Sequence, residues 1–448
     1  MGDEPVRERL SWLLAHAGPG RVNSAEIADA FAAEFVAHVD VERIGKFLAS
    51  WQGVDDSVIE EVTTSGFALT ARVRLGDDLA RVQLSVEPEP PHRITGLQLT
   101  TGPTRLEAVD AEPTTGPITD VINDVLGAVV AQMPAGGMAV GVLQGDEETV
   151  VALGDVAAGA TFDVGSITKP CTGILLASLV TDGVVALDDP VAKFLPEGVS
   201  VPDNAGRPIT LVDLVTHSSG LPGLPAGFDP SDPQNPYADF TIEKLYEGLA
   251  STELEFSIGS RTQYSNFGFG LLGDALSRAT NESYERLVEE RIFAPLGMTS
   301  THAGSIPSGT PDLATPYAQS GDLTPWWDVG AILGAGGIRS TVTDLLRFAR
   351  ANIDPASTPI DDALELAQRP RIVDSERMQI GFGWVLLERL DGSTIVWHNG
   401  GTYGFRAFLG FHRPSHTAIA TLVNCGGTDP DVASLSVLSA AIHAAINR

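Results

Sequence analysis

From residue 118 onward the strand-like pattern is divided between the two ends of the stretch, and that division restricts the fold more than any other feature. "ITDVINDVLGAVVAQM" (118–133) is apolar at helical spacing, and "GMAVGVLQGDEETVVALGDV" (137–156) reads as a hairpin about a Gly-Asp turn. At the far end "IGFGWVLLERL", "STIVWHNGG", "FRAFLGFHR" and "TAIATLVNC" read as successive strands, and "DVASLSVLSAAIHAAINR" closes the chain as a helix. Apolar strands must find partners, so the pattern predicts one antiparallel sheet assembled from both ends and flanked by the terminal helices. The middle, 188–375, then becomes a mainly helical insertion. Two irregular stretches interrupt it, "LPGLPAGFDPSDPQNPY" and "GSIPSGTPDLATPYAQSGDLTPWWD", and long loops of this kind are more often functional rims than accidents.

Residues 1–101 form a separate pattern. "RERLSWLLAHA", "SAEIADAFAAEFVAHV" and "DVERIGKFLASW" repeat apolar residues at helical spacing, with Ser24 and Asp40 as expected N-caps. "FALTARVRL", "ARVQLSVEP" and "HRITGLQLTT" alternate as antiparallel strands, the first two joined through "GDD". A small α+β domain is expected here. The stretch 102–117, "GPTRLEAVDAEPTTGP", is rich in Pro, Gly, Thr and acid and reads as a linker to a larger domain over 118–448.

The net charge of −30 argues against nucleic acid or an anionic membrane as a partner. Cys171 and Cys425 each lie in an apolar stretch and read as buried reduced thiols, not as a disulfide or metal pair. No apolar run reaches bilayer length and the N-terminus does not resemble a signal peptide, so the expected compartment is cytoplasmic. The oligomeric state is not legible.

Lysine occurs only four times, at 46, 169, 193 and 244, among 28 basic residues. One of the four stands in "FDVGSITKP", three residues after Ser166 at the start of an apolar helix. That spacing puts Ser166 and Lys169 on one face, about 5–6 Å apart at Cβ. Arginine serves most structural tasks of a cation but does not give up its proton, whereas a lysine can accept one from the serine. "RTQYSNFGFG" offers Tyr264 and Asn266: a phenol that can act as a base where cations lower its pKa, and an amide able to orient a lysine and a carbonyl. The bland reading of that segment is a helix-capping Ser-Asn pair. "WHNGG" offers His398 and Gly400; His-x-Gly recurs at 16 and 302, so only the strand-then-Gly-Gly context distinguishes it. "GFGLLG" (Gly268, Gly270, Gly273) matches a dinucleotide fingerprint without the strand that should precede it. "HRPSH" spaces His412 and His416 by four, but Pro414 argues against the helix that metal ligation would need.

In the order 166, 264, 398 these motifs resemble those of the serine β-lactamase and penicillin-binding-protein superfamily. The variant is that of class C β-lactamases and related esterases and transacylases, with Y-x-N and H-x-G. "LDDPVAKFLP", "ITLVDLVTHSSGLP", "IFAPLGMTST" and "GAGGIRSTVTDLLRFA" are similar to that family's connecting segments. The layout further resembles two-domain proteins such as that of the clavulanic-acid pathway, in which a steroid-isomerase/cystatin-like domain precedes a β-lactamase-like one. The resemblance implies an α+β fold with no metal or organic cofactor and a small acyl substrate. Ser166 is then the nucleophile, with Lys169 and Tyr264 sharing its proton and the base between them left open. Asn266 orients Lys169 and the carbonyl, and the backbone N–H groups of Ser166 and Gly401 form the oxyanion site. His398 stands where β-lactamases carry a lysine for the substrate carboxylate, which weakens a β-lactamase or transpeptidase reading. An esterase-like hydrolase is expected first, a biosynthetic transacylase second, and a catalytically silent binding protein third.

Overall fold

The structure is a computed structural model that describes residues 4–51, 54–75, 78–101, 104–306, 310, 312–375 and 377–447. The chain divides into two units, Met1–Thr104 and Arg105–Arg448. In the first, α1 (Glu4–His16), α2 (Ser24–Ala30), α3 (Ala33–His38) and α4 (Val41–Ala49) precede the strands β1 (Val58–Ser65), β2 (Ala68–Leu75), β3 (Asp78–Val86) and β4 (Ile94–Thr101). The strands pair antiparallel in sequence order. Every second residue of β2, from Leu69 to Leu75, is buried and joins Leu10, Leu13, Leu48 and Trp51 in one core. Asp40 caps α4 through Arg43 N at 2.8 Å. The cap of α2 is Asn23, not Ser24: its Oδ1 accepts from Ala25 N and Glu26 N while Glu26 accepts from Asn23 N, a reciprocal box that Ser24 would shift by one residue. The expected turn at Gly76 and Asp77 lies outside the described residues, although Leu75 pairs with Asp78 across it.

The second unit opens with α5 (Arg105–Asp110), inside the stretch read as a linker. Ala108 and Val109 are buried in this unit's core, and Arg105 pairs with Asp431. The run is too short for periodicity to reveal, and its Pro-Gly-Thr flanks disguise it. There follow α6 (Ile118–Val130), β5 (Gly137–Gln144) and β6 (Glu147–Gly154). Next come β7 (Phe162–Asp163) and α7 (Thr168–Thr181), and the insertion then holds α8 (Leu211–Val215), α9 (Ile242–Ser251), α10 (Asn266–Thr280), α11 (Tyr284–Val288), α12 (Ala294–Leu296), β8 (His302–Ala303), α13 (Leu333–Gly336), β9 (Ile338–Ser340), α14 (Val342–Ile353) and α15 (Asp361–Ala367). The C-terminal part holds β10 (Ile372–Ser375), β11 (Met378–Ile380), β12 (Val385–Glu388), β13 (Thr394–Gly401), β14 (Arg406–His412), β15 (Thr417–Val423) and α16 (Asp431–Ile446).

The main sheet runs β10-β11-β12-β13-β14-β15-β5-β6, with β5 antiparallel to β15 as the division of strands requires. Strand β5 is buried on both faces: Ala139 and Leu143 point into one core, Met138, Val140 and Val142 into another that includes Leu126 of α6 and Leu438 of α16. The hairpin β10–β11 escaped the sequence reading because its strands are only four and three residues long. The "GFGLLG" glycines lie within α10 and serve packing. A Cβ on Gly273 would come 3.1 Å from Gly334 Cα of α13, so the two backbones approach directly.

Candidate active site

Ser166 lies in a tight turn, Gly165–Ile167, that leads directly into α7. Lys169 follows in the first helical turn and is wholly buried. Its Nζ lies 3.0 Å from Ser166 Oγ, 2.7 Å from Asn266 Oδ1 and 2.8 Å from the Ala335 carbonyl oxygen. Two of these partners can only accept; the serine hydroxyl can also donate. An ammonium can donate to all three, and a neutral amine, with two N–H bonds and one lone pair, satisfies the same set by accepting from Ser166 instead. Burial pushes the ammonium well below its usual range, and among the described residues no carboxylate pairs with it.

Tyr264 precedes α10, whose N-cap is Ser265; the Ser265 hydroxyl accepts from Gly268 N at 2.8 Å and donates to the Pro222 carbonyl at 2.6 Å. The capping reading and the functional reading therefore hold together: Ser265 caps, while Asn266 and Tyr264 face Lys169 and Ser166. The Tyr264 hydroxyl donates to Ser166 Oγ, and Lys169 Nζ lies 4.5 Å from the centre of its ring. Burial around the hydroxyl pushes the phenol above its usual range, although 46% of the residue stays open to solvent along the cleft. The lowering that neighbouring cations could have caused is not what this setting produces, because the one cation beside it is a lysine that burial drives neutral.

Strand β13 passes against the Ser166 turn. A Cβ on Gly400 would fall 1.9 Å from the Val164 carbonyl oxygen and 2.9 Å from Ser166 N, so only glycine allows the approach. Thr402 N donates to Phe405 O at 3.0 Å, and Gly401, the residue before it, stands opposite Arg406. By antiparallel alternation the Gly401 N–H then points away from β14. Strand β12 pairs only with Thr394 to Trp397, so that N–H faces the side where the Ser166 turn lies. A Cβ on Gly165 would meet Gly401 N at 2.6 Å, which puts the two segments in direct contact. His398 is 5% exposed and its Nδ1 is hydrogen-bonded to the Asn399 carbonyl oxygen, which requires the proton on Nδ1. Burial first, then the neighbouring Lys169, pushes its pKa down to about 3, so it is neutral at pH 7.

Ser166, Lys169, Tyr264, Asn266, His398, Gly400 and Gly401 thus meet at one place. Two of them, Tyr264 and His398, line a cavity of about 310 Å³ whose walls also include Trp384, Trp397 and Arg105. The Pro-rich and Trp loops are joined to each other: Asn235 Nδ2 donates to Asp328 Oδ2 at 2.9 Å, and Trp327 Nε1 to the Gln234 carbonyl at 2.7 Å. Three contributors escaped the sequence reading. The Ala335 carbonyl is backbone and carries no residue signal. Arg105 sat in a presumed linker. His217, which also borders the cavity, is linked to Tyr264 by contacts that no local spacing reveals.

A sequence model of the Beta-lactamase family matches residues 123–444, a span that contains every one of the motif residues. The chain belongs to the beta-lactamase family. Family and relatives are serine hydrolase-type enzymes. This beta-lactamase family member is 30% identical over 325 residues to the D-alanyl-D-alanine-carboxypeptidase/endopeptidase AmpH of Escherichia coli (strain K12), covering 67% of this chain and 82% of that protein. It is 25% identical over 285 residues to a Beta-lactamase of the same organism, covering 60% of this chain and 71% of that protein. Arg105, at the cavity wall, lies outside the span matched by the family model.

Proposed function

We propose that the protein is a serine-dependent acyl hydrolase that forms an acyl-enzyme at Ser166 on a small ester, amide or lactam carbonyl. The observation that carries this reading is the partner set of Lys169: two obligate acceptors, one serine hydroxyl and no carboxylate. In the free enzyme Lys169 is the base. Its lone pair takes the Ser166 proton as Oγ attacks the carbonyl carbon, and the N–H groups of Ser166 and Gly401 receive the oxyanion. Tyr264, a neutral phenol, gives its proton to the departing alcohol or amine, and Lys169 returns the serine's proton to the phenolate. Water attacks the acyl-enzyme by the reverse route. The partly exposed Tyr264 ring supports hydrolysis, since it leaves the residue beside Ser166 open to the cleft through which water would come.

An ester comes before a β-lactam or peptide because neutral His398 supplies no fixed cation for a substrate carboxylate. One observation favours a second reading, transfer to an amine or alcohol: the cavity beside Tyr264 has room for an organic acceptor. We assign the chemistry to the second unit alone. The first has a larger cavity, about 540 Å³, but its described lining is Thr, Gln, Ser and apolar side chains without an acid or base. Among the described residues no helix is long and apolar enough to cross a membrane, and the two buried free thiols fit a reducing compartment. Intact-mass spectrometry after p-nitrophenyl acetate tests the reading. One acetyl adduct on the Ser166 peptide, absent in Ser166→Ala, is expected; labelling elsewhere, or none with any activated ester, contradicts it.

A further inference from the structure

His217 follows α8 with a backbone φ of 58°, in the left-handed region that few non-glycine residues adopt, Asn, Asp and His more often than the rest. A histidine held there by the fold invites the question of what it holds in turn. Its carbonyl oxygen accepts from Gln263 N at 2.8 Å. Its Nδ1 accepts from Ser265 N at 3.1 Å. The residues on either side of Tyr264 are thus bound to the same histidine. Its ring lies against the Tyr264 ring, 4.7 Å between centres, and against Phe269 on α10 at 4.8 Å. It is 7% exposed. Because Nδ1 accepts an N–H bond, the imidazole is neutral with its proton on Nε2, the tautomer opposite to that of His398. Burial and the neighbouring Lys169 also disfavour the imidazolium.

We propose that His217 is a positioning residue for Tyr264: neutral and protonated on Nε2, it clamps residues 263–265 and packs on the phenol ring, keeping the hydroxyl on Ser166. The proposal rests on the assignment of Tyr264 as proton donor to the leaving group. It gives His217 a defined, indirect share in that step. A phenol that wanders can still leave Ser166 free to be activated by Lys169. The deficit should therefore grow with the leaving group's need for a proton.

The test compares His217→Asn and His217→Phe on two esters, p-nitrophenyl acetate, whose leaving group departs unaided, and a simple alkyl acetate, which needs protonation. Asparagine tolerates the left-handed backbone, and its Oδ1 can accept from Ser265 N as Nδ1 does. Phenylalanine keeps the ring contact and loses the acceptor. His217→Phe should lose under about tenfold on the p-nitrophenyl ester and about 10²-fold or more on the alkyl ester, within the range of general acid catalysis. His217→Asn should recover most of the difference. Equal losses on both esters, or an Asn variant no better than Phe, overturn the proposal. If the Phe variant does not fold, the Asn variant decides alone: it must keep the wild-type ratio between the two esters within about threefold, and a larger departure sinks the clamp. Failure of the acyl-enzyme reading looks different, since Ser166→Ala would then retain its adduct whatever the His217 variants do.

Discussion

Lys169 and Arg339 are both buried in the second unit and are held in opposite ways. Arg339 Nε sits 2.9 Å from Asp163 Oδ1, with side chains 6% and 5% exposed. Its other nitrogens donate to the Gly304 and Trp327 carbonyls, and its guanidinium lies 5.7 Å from the centre of the Trp326 ring. There a permanent cation meets a carboxylate and fixes the loop that carries both tryptophans. Lys169, a few residues from Asp163 in sequence, meets only neutral acceptors and a hydroxyl. A buried cation with a carboxylate is structural; one without is pushed toward its neutral form. Arginine in the first place and lysine in the second are what those two tasks require.

Giving Lys169 the partner that Arg339 has should erase the difference. Asn266→Asp places a carboxylate at the 2.7 Å contact and keeps Lys169 protonated. Acylation should fall by about 10³-fold, the middle of the acid–base range, while the melting temperature holds or rises. A variant that stays active would show that a protonated Lys169 suffices.

Removing the partner from the other cation should cost stability instead. Asp163→Asn leaves Arg339 buried without its carboxylate, a change worth about 3–5 kcal/mol in comparable sites. Urea melts should show that loss, and acylation at a temperature where the variant is folded should stay within about tenfold of wild type. A stability loss under about 1 kcal/mol would mean that the three carbonyl and ring contacts hold the guanidinium alone.

The smallest effect concerns pH. His398 is neutral down to about pH 3 and His217 is also pushed down, so neither supplies a limb near 6.5. The acylation rate should be flat through neutrality and fall on acidification only when Lys169 takes up a proton. His398→Asn should cost under about tenfold and leave that limb where it is. A limb that moves with the substitution assigns it to the imidazole.

The same contrast explains what could be read from the sequence. Ser166 and Lys169 are legible because a helix converts a spacing of three into a shared face. Tyr264 and Asn266 are legible because they flank the Ser265 helix cap, two positions apart, and both face the site. The sheet could be inferred from its divided strands, since β15, the last of the C-terminal strands, needs β5 on its open side. The Ala335 carbonyl, the α5 helix and the His217 clamp are products of tertiary contact between segments far apart in sequence. Nothing in composition distinguishes the carbonyl of one alanine from another. Asp163 was passed over as well, because its partner, Arg339, lies in a separate segment on β9.

The central claim is that Lys169 works by accepting a proton, and the rate of acyl-enzyme formation in Lys169→Arg tests it most directly. The arginine keeps a positive charge near Ser166 but cannot give up a proton. Measured as the p-nitrophenolate burst, with Lys169→Ala beside it, the Arg variant should fall at least about 10²-fold below wild type and match Ala within a few-fold. An Arg variant that keeps more than about a tenth of wild-type acylation contradicts the account and leaves charge alone as the lysine's contribution.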